Sequence, residues 1–321
     1  MLIIIGMNVD RVLMLNQNEK IKHVKQYVIF GATGWFGLNT INYLMHLRKC
    51  SHDIEIIAVS RKKQILSVEN GSIETVDYQD LENLSIKGPI VFNYAYLTKD
   101  KVDENSTEDY IFKNINLSVY ISSYLNKWQP KGVCYISSGA VYKSLPLGKQ
   151  TLDEYPYGTL KFYDESFFLN HAKTNDYKII IPRVFAVSGA YMNKRNSYAL
   201  GNMVDQALRN KDIEIKAKSY VYRSYLAIET IIETCLFWLW DDTEEKNLVF
   251  DACGSKRFEI EELAKVILQV LDKKQLRIIR DLNKKETPDL YDGNYKVIDK
   301  LIRLYNVKSQ SIEDQIQKSR Y

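Results

Sequence analysis

The 321-residue sequence has few of the residues that mark several classes of protein. Its four cysteines, Cys50, Cys134, Cys235 and Cys253, lie far apart and without histidines at ligand spacing, so neither a disulfide framework nor a zinc site is predicted. Lysine and arginine total 44 against 40 acidic residues, too small an excess to indicate nucleic-acid binding. With 45% apolar and 26% charged residues, the composition is that of a soluble globular protein and excludes disorder, collagen-like repeats and coiled coils.

Long apolar segments are also absent. Residues 225–240 contain two glutamates and are shorter than the ~20 residues that a membrane helix needs. The apolar start, residues 1–15, is interrupted by Asp10 and Arg11 and has neither a preceding basic region nor a small-residue cleavage site. We therefore expect no signal peptide, no metal, no membrane or nucleic-acid partner, and a cytoplasmic location.

Short β-rich runs alternate with helical patterns along most of the chain. The predicted strands are Tyr27–Phe30, Glu55–Val59, Thr75–Val76, Pro89–Phe92, Gly132–Ile136, Lys178–Val184 and Leu248–Phe250. Helices are predicted at residues 38–45 and over Tyr110–Trp128, Leu160–His171, Tyr198–Arg209, Tyr225–Trp240 and Ile260–Leu271, with Ser106 opening the second. This order predicts an α/β protein with a Rossmann-type, doubly wound parallel sheet and a smaller, mostly C-terminal substrate lobe.

The same pattern suggests domain boundaries. We predict an N-terminal extension over residues 1–24 and a dinucleotide-binding domain over 25–182, to which 222–250 return. Residues 183–221 and 251–321 are predicted to form the substrate lobe.

A glycine-rich loop follows the first predicted strand. Gly31, Gly34 and Gly37 recur at three-residue intervals and lead directly into a helix. Glycines at these positions allow a tight turn and the close approach of a pyrophosphate, and the helix N-terminus supplies free N–H groups. We interpret the loop as a dinucleotide-binding turn.

The second predicted strand ends without the acidic residue that contacts the ribose 2′-hydroxyl of NAD. The sequence there is Ser60-Arg61-Lys62-Lys63, and an arginine can pair with a 2′-phosphate, which favours NADPH over NAD(H). A solvated basic turn is the alternative. Asp77, after the third strand, could accept a hydrogen bond from the adenine amino group.

A serine, a tyrosine and a lysine complete the chemical pattern. Ser138 follows the fifth strand, while Tyr157 and Lys161 are four residues apart and therefore on one face of a helix. There the ammonium can lower the pKa of the tyrosine, and the three residues predict proton transfer to or from a carbonyl or alcohol.

From Lys25 onward these motifs resemble an extended short-chain dehydrogenase/reductase of the NAD-dependent epimerase/dehydratase family, whose members mostly act on nucleotide sugars. The resemblance includes Asn93-Tyr-Ala95 after the fourth strand, Asn114 in the following helix, Arg183-Val-Phe185 and Arg223-Ser-Tyr225. It implies that the catalytic residues are Ser138, Tyr157, Lys161 and Asn114. The candidate cofactor contacts are Gly31, Thr33, Gly34, Trp35, Phe36, Gly37, Ser60, Arg61, Asp77, Asn93, Ala95, Tyr157, Lys161, Arg183 and Phe185. The candidate substrate contacts are Ser137, Ser138, Gly139, Tyr96 and Arg223, whose family counterpart binds the nucleotide diphosphate.

Departures from the family pattern narrow the expected reaction. Lys143, Ala186 and Ser224 replace a glycine, an asparagine and an aspartate of the pattern, and this affects the expected substrate contacts more than the redox centre. Nucleotide-sugar 4,6-dehydratases carry Asp-Glu after the catalytic serine or threonine, whereas this chain has Gly139-Ala140, so we do not expect water elimination.

The resulting interpretation is an NADPH-dependent reductase of a keto group, expected at C4, on a nucleotide-activated deoxysugar for surface polysaccharide biosynthesis. An NAD-dependent nucleotide-sugar 4-epimerase remains the alternative, followed by a non-catalytic NADP-binding sensor. Two predicted helices carry surplus apolar residues, and the resemblance implies that they pair in a four-helix bundle to form a homodimer. These residues are Ile111, Ile115, Leu117, Val119, Ile121, Leu125, Phe162, Phe168 and Leu169.

Overall fold

The computed structural model of the protein describes residues 24–320 except 51–52, 103, 105 and 145–146, so the predicted N-terminal extension lies outside the described residues but for its last residue. The strands are β1 (Gln26–Phe30), β2 (Glu55–Val59), β3 (Ile65–Val68), β4 (Gly71–Glu74), β5 (Ile90–Asn93), β6 (Gly132–Tyr135), β7 (Ser137–Ser138), β8 (Lys178–Val184), β9 (Ala186–Ser188), β10 (Ile213–Ile215), β11 (Val221–Arg223), β12 (Tyr225–Ala227), β13 (Asn247–Ala252), β14 (Phe258–Glu259), β15 (Ile278–Arg280) and β16 (Asp289–Tyr291). The helices are α1 (Trp35–Cys50), α2 (Thr107–Trp128), α3 (Pro156–Asn175), α4 (Ala199–Leu208), α5 (Ile228–Trp240), α6 (Ile260–Val270), α7 (Lys296–Leu304) and α8 (Ile312–Lys318). Across this described part of the chain, no helix is long and apolar enough to cross a membrane.

The main sheet is parallel and has the strand order β2-β1-β5-β6-β8-β13, with the short β7 also pairing with β8. From β1 the chain forms β2 on one side and then returns to form β5 on the other. The direction of winding therefore reverses between β1 and β5, which is where ligands bind in open α/β sheets. The predicted α/β fold with a doubly wound parallel sheet is confirmed.

Alternation along β1 shows why both faces of the sheet must be covered. Tyr27 and Ile29 belong to the half of the core formed with α1 and α5, whereas Val28 and Phe30 belong to the half formed with α2 and α3. All four side chains are fully buried. Successive residues of a strand point to opposite faces, so a strand that is apolar throughout requires helices on both sides.

Local signals set the ends of the two helices that carry the candidate site. The Ser106 hydroxyl accepts a hydrogen bond from the backbone N–H of Asp109 at 3.1 Å, which caps the start of α2 as predicted. Pro156 occupies the first turn of α3, where a missing N–H costs nothing. Both helices end in a left-handed residue, Gln129 after α2 and Asp176 after α3.

The third predicted strand was wrong in extent. Val76 makes only an isolated parallel bridge with Val59, and the chain before it forms an unpredicted antiparallel hairpin of β3 and β4. Gly71 opens β4 with a φ of 146°, a conformation that suits glycine. The Thr75 hydroxyl is bound to the turn after β2, and this contact fixes the segment at the sheet edge.

The predicted helix from Tyr225 also begins later than expected. Residues 225–227 form β12, which pairs in parallel with β9, and α5 begins at Ile228. The pairing partner lies about forty residues earlier in the sequence, so the apolar pattern of this segment does not distinguish strand from helix.

Small sheets follow the main one in the C-terminal part of the chain: β10 with β15, and β14 with β11 and β16. A buried ion pair between Arg280 and Glu259 joins them, with 2.9 Å between Nη1 and Oε1. Arg280 also donates to the backbone carbonyls of Ala217 and Ser219. These contacts hold β15 against the sheet that contains β11 and β16, and Tyr291 on β16 contacts Ser138 at the carboxyl edge of the main sheet.

Five large apolar side chains are exposed on α2 and α3. Because the two helices pack together on the same sheet face, the exposed side chains form one surface, which we call the α2/α3 face. Its members are Phe112, Ile115, Val119, Tyr163 and Phe167. Of the surplus residues predicted from the sequence, Ile121, Leu125 and Phe168 are instead buried in the interior of the chain.

Candidate active site

The candidate residues converge at one edge of the sheet because they follow the carboxyl ends of neighbouring parallel strands. The glycine loop follows β1, the basic turn follows β2, and Tyr94 to Tyr96 follow β5. Ser138 ends β7, and Phe185 directly follows β8. The sheet therefore assembles in space the motifs that the sequence spreads over more than 150 residues.

Two of the three loop glycines are required by space. A Cβ on Gly31, whose φ is +75°, would lie 2.8 Å from the backbone of Tyr94 and Ala95. A Cβ on Gly37 would lie 2.4 Å from the carbonyl oxygen of Gly31 and 2.6 Å from that of Ala32. The first turn of α1 thus packs directly on the loop, which is the close approach that dinucleotide binding uses. Gly34 is less constrained, since a Cβ there would meet only the Gly31 carbonyl oxygen, at 3.2 Å.

The residues at this edge fit a nicotinamide dinucleotide. In addition to the glycine loop, two buried polar atoms, Oδ1 of Asn93 and the hydroxyl of Tyr96, have no hydrogen-bond partner among the described residues. Asn93 is the last residue of β5 and Tyr96 lies three residues after it, next to the point where the winding reverses. Buried polar groups are normally satisfied, so these two atoms are available to a ligand.

Other predicted cofactor contacts are already engaged by the protein. The indole N–H of Trp35 donates to the carbonyl of Ala190 at 2.7 Å, and Phe36 packs against Tyr94, while Thr33 is exposed. These side chains join the loop to neighbouring segments. Their contact with a cofactor stays a prediction.

The basic turn after β2 contains one ion-paired side chain and one that is exposed and unpaired among the described residues. The Ser60 hydroxyl donates to the Lys62 carbonyl at 2.6 Å and lies 2.8 Å from the Thr75 hydroxyl, and Lys63 forms an ion pair with Asp80. Arg61, in contrast, is exposed and makes no hydrogen bond or ion pair with the described residues. Its guanidinium is therefore free to bind an anion.

Asp77 has a structural partner that the sequence did not reveal. Its Oδ1 accepts hydrogen bonds from the backbone N–H groups of Gln79 at 3.0 Å and Asp80 at 2.9 Å. The carboxylate thus caps the short turn after the bridge to β2. Its predicted contact with adenine stays untested.

The hydroxyls of three residues meet at the centre of the site. Ser138 lies 3.2 Å from the hydroxyl of Tyr291, and it also forms a hydrogen bond with Tyr157. Burial raises the pKa of Tyr157 well above its usual value, and the hydrogen bond with Ser138 opposes this shift only in part. At neutral pH Tyr157 is therefore a neutral hydroxyl that can donate a proton.

Lys161 contacts the site differently from the expectation. Its ammonium donates to the Ile136 carbonyl at 2.7 Å and to the Tyr135 hydroxyl at 3.1 Å, and lies 3.7 Å from the centre of the Tyr96 ring. The same Tyr96 ring makes an edge contact with Tyr157. Burial is the largest influence on the pKa of Tyr157, which is raised in this arrangement, and a lowering by Lys161 stays a prediction.

Asn114 has a role that is visible in its contacts. Its Oδ1 accepts from the backbone N–H of Leu97 at 2.9 Å, and its amide donates to the carbonyl of Tyr110 at 3.2 Å. The side chain thus holds the segment after β5 against α2. Among the described contacts it does not touch Ser138, Tyr157 or Lys161, and its predicted catalytic role stays a prediction.

Gly139 explains the packing of Phe185. A Cβ on Gly139 would lie 2.4 Å from Cε1 of the Phe185 ring, so a larger residue cannot occupy this position without displacing the ring. Phe185 in turn packs against Tyr291 and Tyr142. The position where dehydratases are expected to carry a carboxylate is filled here by an aromatic ring.

Three further polar residues are engaged within the protein. Arg183 forms a bidentate contact with Glu165, which also accepts from the Ser137 hydroxyl at 2.5 Å. Arg223 pairs with Asp289, with 2.5 Å between Nη2 and Oδ2. Their predicted contacts with cofactor or substrate would have to form beside these pairs.

Tyr291 is the functional candidate that sequence reasoning missed. It lies on β16, far from every motif, and reaches the site because β16 pairs with β11 immediately before the turn to β12. Burial raises its pKa to about 12, so its hydroxyl also stays protonated. No short motif surrounds it, and only the pairing of the strands could have identified it.

Comparison with known proteins identifies the family of the chain. A model of the NAD dependent epimerase/dehydratase family matches residues 27–252. The chain belongs to this family, and it is an NAD(P)-dependent enzyme of the oxidoreductase type. A search of curated proteins finds no match.

Several solved structures share the fold. UDP-glucose 4-epimerase from Thermotoga maritima is 15% identical, with a TM-score of 0.69 over 92% of this chain and 97% of that one. UDP-N-acetylglucosamine 4-epimerase from Methanobrevibacter ruminantium is 19% identical, with the same TM-score and coverage. RMD from Pseudomonas aeruginosa, solved in complex with NADPH, is 18% identical with a TM-score of 0.69 over 92% of this chain and 98% of its own. At these identities the likeness shows the fold alone.

The glycine geometry gives a testable order of sensitivity. Gly37→Ala should lower the midpoint of thermal unfolding clearly, because its Cβ would collide with backbone atoms that cannot move independently. Gly34→Ala is the matched control and should lower that midpoint much less, because its Cβ would meet one oxygen atom at 3.2 Å. Equal unfolding midpoints for the two variants would contradict the packing described here.

Proposed function

We propose that the protein uses NADPH to reduce a keto group, at C4, of a nucleotide-activated deoxysugar. The observation that carries this proposal is the turn after β2, where Arg61 is exposed and unpaired among the described residues and where residues 60–63 include no carboxylate for a ribose 2′-hydroxyl. A guanidinium in that position suits a 2′-phosphate. A reductase needs a donor that the cell keeps reduced and exchangeable, which is the role of NADPH.

The residues at the centre of the site support a proton-coupled reduction. NADPH would supply the hydride to the ketone carbon. Tyr157 donates its proton to the ketone oxygen, and the Ser138 hydroxyl holds that oxygen by a hydrogen bond. Lys161, one turn further along the same helix, stabilises the negative charge left on Tyr157. Tyr291, which shares Ser138 as a partner, orients the serine hydroxyl.

The steric environment of Gly139 argues against dehydration. Elimination of water needs an acid and a base beside the sugar, and the Phe185 ring leaves no room for a carboxylate at position 139. The side chains described at the centre of the site supply a proton donor and its supporting hydroxyls. This set is sufficient for reduction or oxidation of one carbon.

An NAD-dependent 4-epimerase is the alternative, since it would use the same serine, tyrosine and lysine. The two reactions differ in what they consume. Incubating the protein with NDP-4-keto-6-deoxysugars and NADPH should give a stoichiometric loss of NADPH absorbance. Interconversion of NDP-hexoses without net loss of absorbance would instead establish the epimerase.

Tyr157→Phe tests the proton donor. The ring can still pack against Tyr96, so we expect turnover to fall by ~10²–10⁴-fold, the range that general acid catalysis supplies, with little change in NADPH affinity. Tyr305→Phe, which removes the hydrogen bond to Asp241 outside the site, is the control and should keep its turnover. Near-normal turnover of the Tyr157 variant would reassign the donor.

Arg61→Ala tests the cofactor. A charge-assisted contact with the 2′-phosphate is worth roughly 1.5–3 kcal/mol, so NADPH should bind about tenfold to a hundredfold more weakly while NADH binding hardly changes. Arg48→Ala, which removes an exposed arginine at the end of α1, serves as the control. Equal weakening of NADH and NADPH would indicate stacking on adenine and favour the epimerase.

The α2/α3 face supports the proposal of a homodimer built through a four-helix bundle. Phe112 is 65% exposed and Val119 54% exposed, which is costly for large apolar side chains that lie on one surface. Light scattering at micromolar concentration should report a dimer, and the double change of Ile115 and Val119 to Asp should give monomers. The control Ile279→Asp alters an exposed apolar residue on β15 and should stay dimeric. A monomeric wild type would refute the dimer.

A further inference from the structure

The helix α3 carries three ionisable side chains into the interior. Lys161, Asp164 and Glu165 are 5%, 8% and 3% exposed. Glu165 is neutralised by Arg183, whose Nη2 lies 2.7 Å from Oε2. Lys161 and Asp164 therefore remain as two buried opposite charges, and buried charges need compensation.

A tyrosine hydroxyl joins these two charges. Lys161 donates to the hydroxyl of Tyr135 at 3.1 Å, and that hydroxyl donates to Oδ2 of Asp164 at 2.9 Å. The Ser118 hydroxyl on α2 donates to the other carboxylate oxygen, Oδ1, also at 2.9 Å. Because an ammonium only donates and a carboxylate only accepts, the direction of every hydrogen bond in this series from Lys161 to Ser118 is fixed.

We propose that Asp164 is a positioning residue for Lys161, and that its carboxylate, acting through the Tyr135 hydroxyl, keeps the lysine protonated and directed at the active site. The proposal rests on the proposed function only in assigning Lys161 to the reaction. Neither Asp164 nor Tyr135 belongs to the serine, tyrosine and lysine pattern that the sequence displays.

The electrostatic balance around Lys161 agrees with this assignment. Burial lowers the pKa of Lys161 to about 8, and Asp164 is the largest influence that opposes this shift, followed by Glu165. The other titratable groups around Lys161 are tyrosines: Tyr96 after β5 and Tyr135 on β6 contact it, and Tyr157 on α3 packs against the Tyr96 ring. Burial raises the pKa of each of them, so all three stay neutral at neutral pH.

Asp164 is also surrounded by titratable and polar groups. It faces Lys161 on its own helix, Tyr135 on β6, Tyr96 after β5, and Ser118 and Tyr110 on α2. Burial raises the pKa of Asp164, whereas Lys161 and the two hydroxyl donors lower it. Removing its charge leaves Lys161 with Glu165 as its nearest anion, and Glu165 is already paired.

The experiment follows the titration of Lys161 in the full chain without substrate or cofactor. Protein labelled with [¹³Cε]lysine should show a resonance that titrates with a pKa of about 8 and is absent from Lys161→Arg. An ordinary exposed lysine titrates near ~10.4, so this resonance stands apart. In Asp164→Asn, which keeps an acceptor oxygen but loses the charge, the midpoint should fall by roughly one unit or more, a tenfold increase in acidity.

Further variants separate this role from general damage to the fold. Tyr135→Phe should also lower the midpoint, and the double variant should show less than the sum of the two shifts, because both act through one hydroxyl. Tyr177→Phe removes a different buried hydrogen bond, that to His171, and should leave the midpoint unchanged.

An unchanged Lys161 midpoint in a folded Asp164→Asn protein would overturn the proposal. If that variant does not fold, an unchanged midpoint in Tyr135→Phe has the same consequence. Since neither substrate nor cofactor is present, the outcome does not depend on which reaction the enzyme catalyses.

Discussion

Burial of charge on α3 is the constraint on which the rest of the active site depends. A lysine and two carboxylates on the inner face of one helix would be strongly destabilising without partners. The partners come from separate elements, with Arg183 on β8, Ser137 on β7 and Tyr135 on β6. The ion pair and hydrogen bonds that compensate the charges of α3 therefore fix the helix against the carboxyl edge of the sheet. They also fix the position of Tyr157, which lies in the first turn of that helix.

Close packing at two glycines shapes the part of the site formed by the loops at the sheet edge. The loop after β1 touches the segment after β5 so closely that Gly31 has no room for a Cβ. At Gly139 the space that a Cβ would occupy is filled by the Phe185 ring. In both places a missing side chain lets another group approach, the backbone in one case and an aromatic ring in the other. The glycines of this chain are few, and these two determine what can lie at the sheet edge.

The parts of the structure that could be predicted from the sequence are those encoded over short spans. The strand before the glycine loop, the serine cap of α2 and the four-residue interval between Tyr157 and Lys161 each occupy fewer than ten residues. Tyr291 could not be found in this way, because it is 153 residues from Ser138 and its strand is short and without a motif. Asp164 was missed for a different reason. An acidic residue in a helix is usually solvated, and its burial follows from Ser118 and Tyr135, which lie 46 and 29 residues away.

The tyrosines of the site differ in position more than in acidity. Burial raises the pKa of Tyr96, Tyr135, Tyr157 and Tyr291 alike, so each is a neutral hydroxyl at neutral pH. A proton donor with a raised pKa is effective only if the anion that it becomes is stabilised, since the rate of transfer depends on the stability of both forms. The hydrogen bond with Ser138 supplies part of this stabilisation, and a charged Lys161 must supply the rest. In the proposed reduction the charge state of the lysine is therefore as important as the tyrosine itself, and we propose that it depends on the carboxylate of Asp164.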